Sequence, residues 1–284
     1  MLPTRLSFDD ARRSARPFII AAEHSRRTLP WRLLTSPPLG GPENMALDEA
    51  LMARARRTGE TVLRVYAWSA PTLSLGRNQR AIGVYRETAL AERRIEVVRR
   101  PTGGRALLHH REITYSVTAP CEESGALLTE YGRINALLTS ALGELGVPVV
   151  VARPLTRAAA PSGAPCFAEP ALGELTLNGR KLVGSAQWRD RGALLQHGSI
   201  LIDDDQSSIL HLMREPGPPT PAPATLRDAL GRAPVMAEVG AALFDAVCGL
   251  ADPDARPLEP DDELALDAAR IAARYRDDAW TWRR

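Results

Sequence analysis

Between Leu175 and Asp203 the residue order points to an antiparallel meander, and this constrains the fold more than any other stretch. Leu175 and Leu177 lead into Asn178-Gly179, a pair that accepts the positive φ values of a type I′ turn and so predicts a two-residue hairpin. The returning strand, KLVGSAQWR, runs to a second turn at Arg189-Asp190-Arg191-Gly192. The run ALLQHGSILID then reads as a third strand. Gly184, Ser185 and Ala186 stand where a plain core strand would carry branched apolar side chains, which lets a ligand or another backbone come close. With His197 and Gly198 on the next strand, the meander presents a face that can wrap an extended substrate.

The same stretch holds Lys181, the only lysine in 284 residues; the other 35 basic residues are arginine. A chain that uses arginine wherever a charge or a long stem suffices keeps one lysine for what arginine cannot offer. That is a compact ammonium, three donors converging on a point, and a proton that an apolar site can release. The bland alternative is a solvated survivor in an arginine-rich chain, and the neighbours of Lys181 argue against it.

Composition serves mainly to exclude. With 44% hydrophobic and 25% charged residues the chain is long enough and apolar enough to bury a sizeable core. A formal charge of +2, with arginines spread along the length, gives no nucleic-acid footprint. No stretch approaches the roughly 20 apolar residues that span a bilayer, so no membrane partner is expected. Cys121, Cys166 and Cys248 show no CxxC spacing; they speak against a disulfide scaffold or a zinc site and for a reducing cytoplasm.

In chain order, residues 1–30 read as a loosely ordered N-terminal extension without a signal-peptide pattern. Trp31 to Ser36 predicts a first strand, and PENMALDEALMARARR a helix, with Pro42 at its start and Met45, Leu47, Leu51 and Met52 as its apolar face. Its acidic residues Glu43, Asp48 and Glu49 lie toward the N-terminal end, where the helix dipole favours them. TVLRVYAW and TLSLG predict strands, and residues 86–94 a helix. EVVRR predicts another strand, broken at Pro101-Thr102-Gly103-Gly104 before ALLH and ITYSV resume it. A double glycine there can curl the backbone into a small anion nest, although a plain hairpin loop with solvated arginines explains it too. Residues 123–145 have helical apolar spacing, VPVVV begins a strand, and the Pro/Ala/Gly-rich loop 153–165 delivers Cys166 to the hairpin. Beyond Asp205 the chain turns helical, with a proline-rich linker at 215–224 and helices at 235–250 and 260–276. The expectation is an α+β fold: a mixed sheet with flanking helices over 31–205, then a small helical segment over 206–284 packed on it.

Several residues could do chemistry. A thiolate is the competent nucleophile and an adjacent ammonium favours it, so Cys166 and Lys181 form a candidate pair if they meet across the sheet. The alternative for Cys166 is a small buried hydrophobe. Cys248 lies in AALFDAVCGLA and reads as core. His109 and His197 are candidate acids, bases or donors. No HExxH or GxSxG pattern occurs, so metalloprotease and serine-hydrolase readings fall away, and the acidic run Asp203–Asp205 reads as a solvated strand end and not a metal site.

Four segments carry a resemblance: NMALDEAL (44–51), RRPTGGRALLHHREITYSV (99–117), GRKLVGSAQWRDRGALLQHGSI (179–200) and the C-terminal YRDDAWTWRR. Over residues 31–284 the chain resembles the biotin/lipoate protein ligase superfamily, and within it the octanoyltransferases of the LipM type. The lysine hairpin with the double-glycine segment is specific for the superfamily but shared with ATP-dependent lipoate ligases. The Cys166-Phe167 pair before the hairpin is what resembles the transferases. The resemblance implies that Cys166 forms an acyl thioester and Lys181 activates it. It also implies that Arg100, Gly103, Gly104, His109, Ser185, Gln187, His197 and Gly198 bind substrate. Octanoyl-acyl carrier protein would be the donor, and a lysine of a lipoyl-domain protein (the glycine-cleavage H protein or an E2 subunit) the acceptor. No cofactor, nucleotide or metal would be needed. A lipoate ligase, an amidotransferase moving octanoyl between lipoyl domains, and a non-catalytic accessory domain remain as other readings.

Overall fold

A computed structural model describes residues 30–122, 127–153, 166–167 and 170–284. The N-terminal extension apart from Pro30, and the loop before Cys166 apart from Arg153, lie outside the described residues. The elements in chain order are β1 (Trp31–Thr35), α1 (Gly41–Thr58), β2 (Thr61–Tyr66), β3 (Thr72–Leu75), α2 (Glu87–Glu92), β4 (Glu96–Arg99), β5 (Leu107–His109) and β6 (Glu112–Pro120). They continue as α3 (Leu127–Glu144), β7 (Val150–Val151), β8 (Leu175–Leu177), β9 (Arg180–Asp190) and β10 (Ala193–Leu201). After a 3₁₀ helix (Gln206–Leu212) come α4 (Leu226–Leu230), α5 (Met236–Leu250), β11 (Arg256–Pro257), α6 (Asp262–Arg276) and α7 (Asp278–Thr281).

The strands form two sheets, not the single one expected. Eight strands run in the order β11-β1-β2-β6-β10-β9-β8-β7, and three in the order β4-β3-β5. Parallel pairing joins β1 to β2 and to β11, while β2 through β10 pair antiparallel. The mixed sheet with helices on both faces matches the α+β expectation. The double-glycine segment is not a hairpin, because β4 and β5 lie on opposite sides of β3 and the segment crosses from one to the other. The chain beyond Asp205 is not purely helical either, since β11 extends the large sheet at its edge.

Alternation along β2 decides what each face meets. Leu63 and Val65 point, with Tyr115 and Val117 of β6, into the main core, where Leu138 and Leu142 of α3 and Leu243 and Val247 of α5 close over them. Val62 points the other way, to Leu51 of α1 and Leu264 of α6. Each such apolar side chain contributes about 1.5–3 kcal/mol on full burial, and with both faces covered the whole of β2 is buried. Helix α1 starts at Gly41 with Pro42 in its first turn and stops at Gly59, whose φ of 74° ends the helical path. Cys248, expected in the core, is only half-buried. It follows the inward-facing Val247 and so turns off the buried stripe of α5.

Candidate active site

Asn178 (φ 50°) and Gly179 (φ 75°) make the two-residue turn between β8 and β9, whose pairing has a register shift at Leu175/Thr176 on β8. Lys181, on the returning strand, has a side chain only 1% exposed. Its Nζ donates to Glu174 Oε1 at 2.6 Å, to the Cys166 carbonyl oxygen at 2.7 Å and to Cys166 Sγ at 3.4 Å. Three N–H groups thus meet three acceptors, as a buried ammonium requires. The Phe167 ring lies 4.8 Å from Nζ and adds an apolar, cation-tolerant wall. Gly184 is required by this packing: a Cβ there would stand 2.9 Å from Lys181 Cε.

The double-glycine segment reaches the same place from the small sheet. Gly104 has φ +97°, which glycine alone adopts readily. Arg100 is among the expected substrate-binding groups, but all five of its donors are spent on the protein. Nε and Nη2 donate to Gly103 O, Nη2 also to Arg105 O, and Nη1 to Ser74 O and Oγ. Its guanidinium therefore shapes the loop, and no donor is left for a substrate anion. Gly103 contributes its carbonyl to this clamp and is not part of the cavity wall.

The cavity at this junction has a volume of about 70 Å³ and is walled by Arg100, Gly104, His109, Cys166, Ser185, His197 and Gly198 among others. Seven of the expected site residues are thus brought together. Gln187 is not; it lines a neighbouring groove of about 750 Å³ between α3 and β9, which shares Glu174, Ser185 and Ala186 with the cavity. Gln187 Nε2 donates to Gln196 Oε1 at 2.8 Å. Gln196 in turn donates to Tyr115 OH, which is 2.7 Å from Ser185 Oγ. Burial pushes the Tyr115 phenol up to about 12, so it stays a neutral hydrogen-bonding group.

Both histidines are locked by their partners. His197 places Nδ1 3.1 Å from Asp48 Oδ2 and Nε2 2.7 Å from Thr102 Oγ1. With the carboxylate accepting, Nδ1 carries the proton and Nε2 accepts from the Thr102 hydroxyl, a tautomer assigned from the network. Asp48 is fully buried and also accepts from Arg64, Tyr66 and Ser116. Burial alone would raise its proton affinity; Arg64 and the bonds from His197 and Ser116 outweigh it and hold the carboxyl below its ordinary range.

His109 lies between Glu112 Oε1 (3.1 Å) and Ser74 Oγ (2.9 Å), with its ring stacked on Trp68 at 3.9 Å. Burial lowers its proton affinity below the ordinary value, and Glu112 only partly restores it. Below pH about 6.5 the unfolded histidine therefore binds a proton that the folded one refuses, so stability falls as the pH drops through that value and is complete above it. Thermal unfolding of His109→Gln, followed from pH about 7 to about 5, is expected to show a shallower loss of melting temperature than the wild type. An unchanged slope would mean that His109 contributes nothing to the acid sensitivity.

Sequence reasoning missed Asp48, Thr102, Trp68, Tyr115 and Glu174. Asp48 had a signal: it falls on the buried stripe of α1 with Met45, Leu51 and Met52, where a carboxylate is expected only with partners. Its reading as a charge placed for the helix dipole is therefore corrected to a buried carboxylate with four partners. Glu174 had none, since nothing in its neighbourhood sets it apart from a solvated strand end.

The model of the Lipoyl protein ligase A/B catalytic domain matches residues 41–248. The chain belongs to this family. Among relatives, Octanoyltransferase LipM of Kyrpidia tusciae is 41% identical over 277 residues, covering 89% of this chain and 99% of that protein. Octanoyltransferase LipM of Symbiobacterium thermophilum is 38% identical, with 89% and 98% covered. Lipoate-protein ligase A solved with bound ATP superposes with a TM-score of 0.72 at 18% identity, covering 89% of this chain and 98% of that one. A bipartite lipoate protein ligase of Thermoplasma acidophilum, studied with its E2 lipoyl domain, gives 0.71 at 20% identity, with 89% and 96% covered. At those identities the likeness establishes the lipoate-ligase fold, while the transferase relatives bear on the reaction.

Proposed function

We propose that this enzyme is an octanoyltransferase of lipoate biosynthesis, with Cys166 as nucleophile and Lys181 as its cationic partner. The observation that carries the reading is the 3.4 Å approach of Lys181 Nζ to Cys166 Sγ beside a cavity, in a chain whose relatives are octanoyltransferases. A cation beside a thiol favours the thiolate, the competent nucleophile. In the first half-reaction the Cys166 sulfur bonds to the octanoyl carbonyl carbon of octanoyl-acyl carrier protein. The donor's C–S bond breaks, and the proton lost from Cys166 goes to the departing thiol. In the second, a lysine amine of a lipoyl-domain protein, the H protein or an E2 subunit, bonds to the same carbon. The C–Sγ bond breaks and the amine proton returns to sulfur. Both steps develop negative charge beside the Lys181 ammonium, where a fixed positive group lowers the barrier. Thioester to amide is downhill, so the transfer needs no nucleotide. No helix among the described residues is long and apolar enough to cross a membrane, and we assign the reaction to the cytoplasm, where thiols stay reduced.

The test is incubation with octanoyl-acyl carrier protein and a lipoyl-domain acceptor, without nucleotide. Octanoylation of one acceptor lysine, read as an intact-mass increase, is the expected result. Acceptor modification that requires octanoate plus ATP and fails with the carrier-bound donor would reassign the enzyme as a ligase.

A further inference from the structure

We infer that Glu174 is a third member of the catalytic unit, a positioning residue that holds Lys181 as a permanent ammonium aimed at Cys166. The inference rests on the acyl-transfer reading above for its meaning in catalysis, and on geometry for the contact itself. Glu174 Oε1 lies 2.6 Å from Lys181 Nζ, and the two side chains are 7% and 1% exposed. Water is therefore largely excluded from the pair, and each charge depends on the other. The second carboxylate oxygen, Oε2, accepts from the backbone N–H of Ala171 at 2.7 Å, so the carboxylate plane is pinned at both oxygens.

The segment that carries Glu174 is built to fix it in place. Gly173 has φ +89°, and a Cβ there would stand 2.9 Å from Tyr131 Cε1, so only glycine makes the turn under the Tyr131 ring. Its carbonyl accepts from Asn135 Nδ2 of α3 at 2.5 Å. Backbone bonds from Gly173 N to Ala152 O (3.0 Å) and from Ala152 N to Glu174 O (2.7 Å) fasten the segment to the end of β7. The carboxylate is thus held by a helix, a strand end and its own turn before any substrate arrives.

The consequence for the mechanism is specific. With a carboxylate fixed at one N–H of Lys181, the lysine is held as a charged donor. It serves as a fixed cation beside the Cys166 sulfur, and it does not take the thiol proton as a neutral base. The proton exchanged between Cys166 and the departing or attacking group then moves without Lys181 ever becoming an amine.

Lys181 is the sole lysine of the chain, so selective labelling of lysine side chains with ¹⁵N yields a single nitrogen signal that separates ammonium from amine directly. The full-length wild type at neutral pH is expected to show the ammonium signature. Glu174→Gln should lose or shift that signal and lower kcat by roughly 10²-fold, the scale of a misplaced catalytic group, at nearly unchanged KM for both substrates. Glu174→Asp, which keeps the charge one methylene further away, should retain the ammonium signature and recover part of the lost kcat. The wild-type signal needs no variant and so survives a Gln variant that folds poorly. An amine signature in active wild type overturns the inference, as does a Gln variant with wild-type kcat. So does an equal loss in the Gln and Asp variants with the ammonium signal intact, which would make Glu174 a packing residue. The nitrogen signal also needs no substrate. Absence of any octanoyl adduct on wild-type Cys166 would therefore sink the acyl-transfer reading while leaving the charge state of Lys181 independently measured.

Discussion

Cys166→Ala is expected to abolish both the octanoyl adduct on the enzyme and the modification of the acceptor, a loss of about 10⁴-fold or more, as for removal of a covalent nucleophile. The wild-type peptide containing Cys166 should gain one octanoyl mass on incubation with octanoyl-acyl carrier protein, and hydroxylamine should reverse it. Cys166 stands on the cavity wall with a cation at its sulfur: Lys181 Nζ at 3.4 Å, with a second Nζ contact to the Cys166 carbonyl at 2.7 Å. Cys121 packs at the margin of the main core, Cys248 sits half-buried on α5, and neither is among the residues that line the cavity. Cys121→Ala and Cys248→Ala should therefore keep both adduct and transfer. Transfer at a near wild-type rate by Cys166→Ala would reduce Cys166 to a packing residue beside Leu107, Phe167 and Leu201.

Lys181→Arg is expected to be nearly as damaging as Lys181→Ala, each costing roughly 10²–10³-fold in kcat, the scale of losing a fixed charge-stabilising donor. The charge survives in the arginine variant, so charge alone does not decide the outcome; shape does. The ammonium directs its three donors from one atom to Glu174, the Cys166 carbonyl and the Cys166 sulfur. A planar guanidinium spreads its donors along a fork and cannot converge them. It is also wider, and the space beside the lysine is already closed by Phe167 and the Gly184 backbone, where even a methyl group would lie 2.9 Å from Cε. Steady-state kinetics of the two variants against wild type, with unfolding curves to separate stability from turnover, decide this. An arginine variant that turns over at a near-normal rate would show that any nearby cation is enough.

Much of this was local and therefore legible in the residue order. The Asn178-Gly179 turn and the Arg191-Gly192 turn depend on backbone φ values that adjacent residues determine, and β8, β9 and β10 follow from them. The helices α1, α5 and α6 follow from apolar spacing of 3.6 residues and from their caps, again features within a few positions. The solitary Lys181, Cys166 before the hairpin and the double glycine are likewise local features that single out a candidate site. The family resemblance supplied the reaction, which composition and spacing alone had not.

Only the tertiary structure could decide which distant groups meet. His197 and Asp48 are 149 positions apart, and their pairing turns a residue that reads as a helix-dipole charge into the anchor of a buried imidazole. The strand order did the same for the double-glycine segment: with β3 between β4 and β5, it became a crossover that carries Thr102 to His197 and gives Arg100 its own loop to clamp. Glu174 is undistinguished in sequence because a glutamate before a strand is normally solvated. It becomes the partner of Lys181 because the turn at Gly173, the ring of Tyr131 and the end of β7 close around it and exclude water. Turn chemistry and hydrophobic period are fixed by neighbours along the chain, whereas the burial that gives a charge its partner is a property of the packed whole.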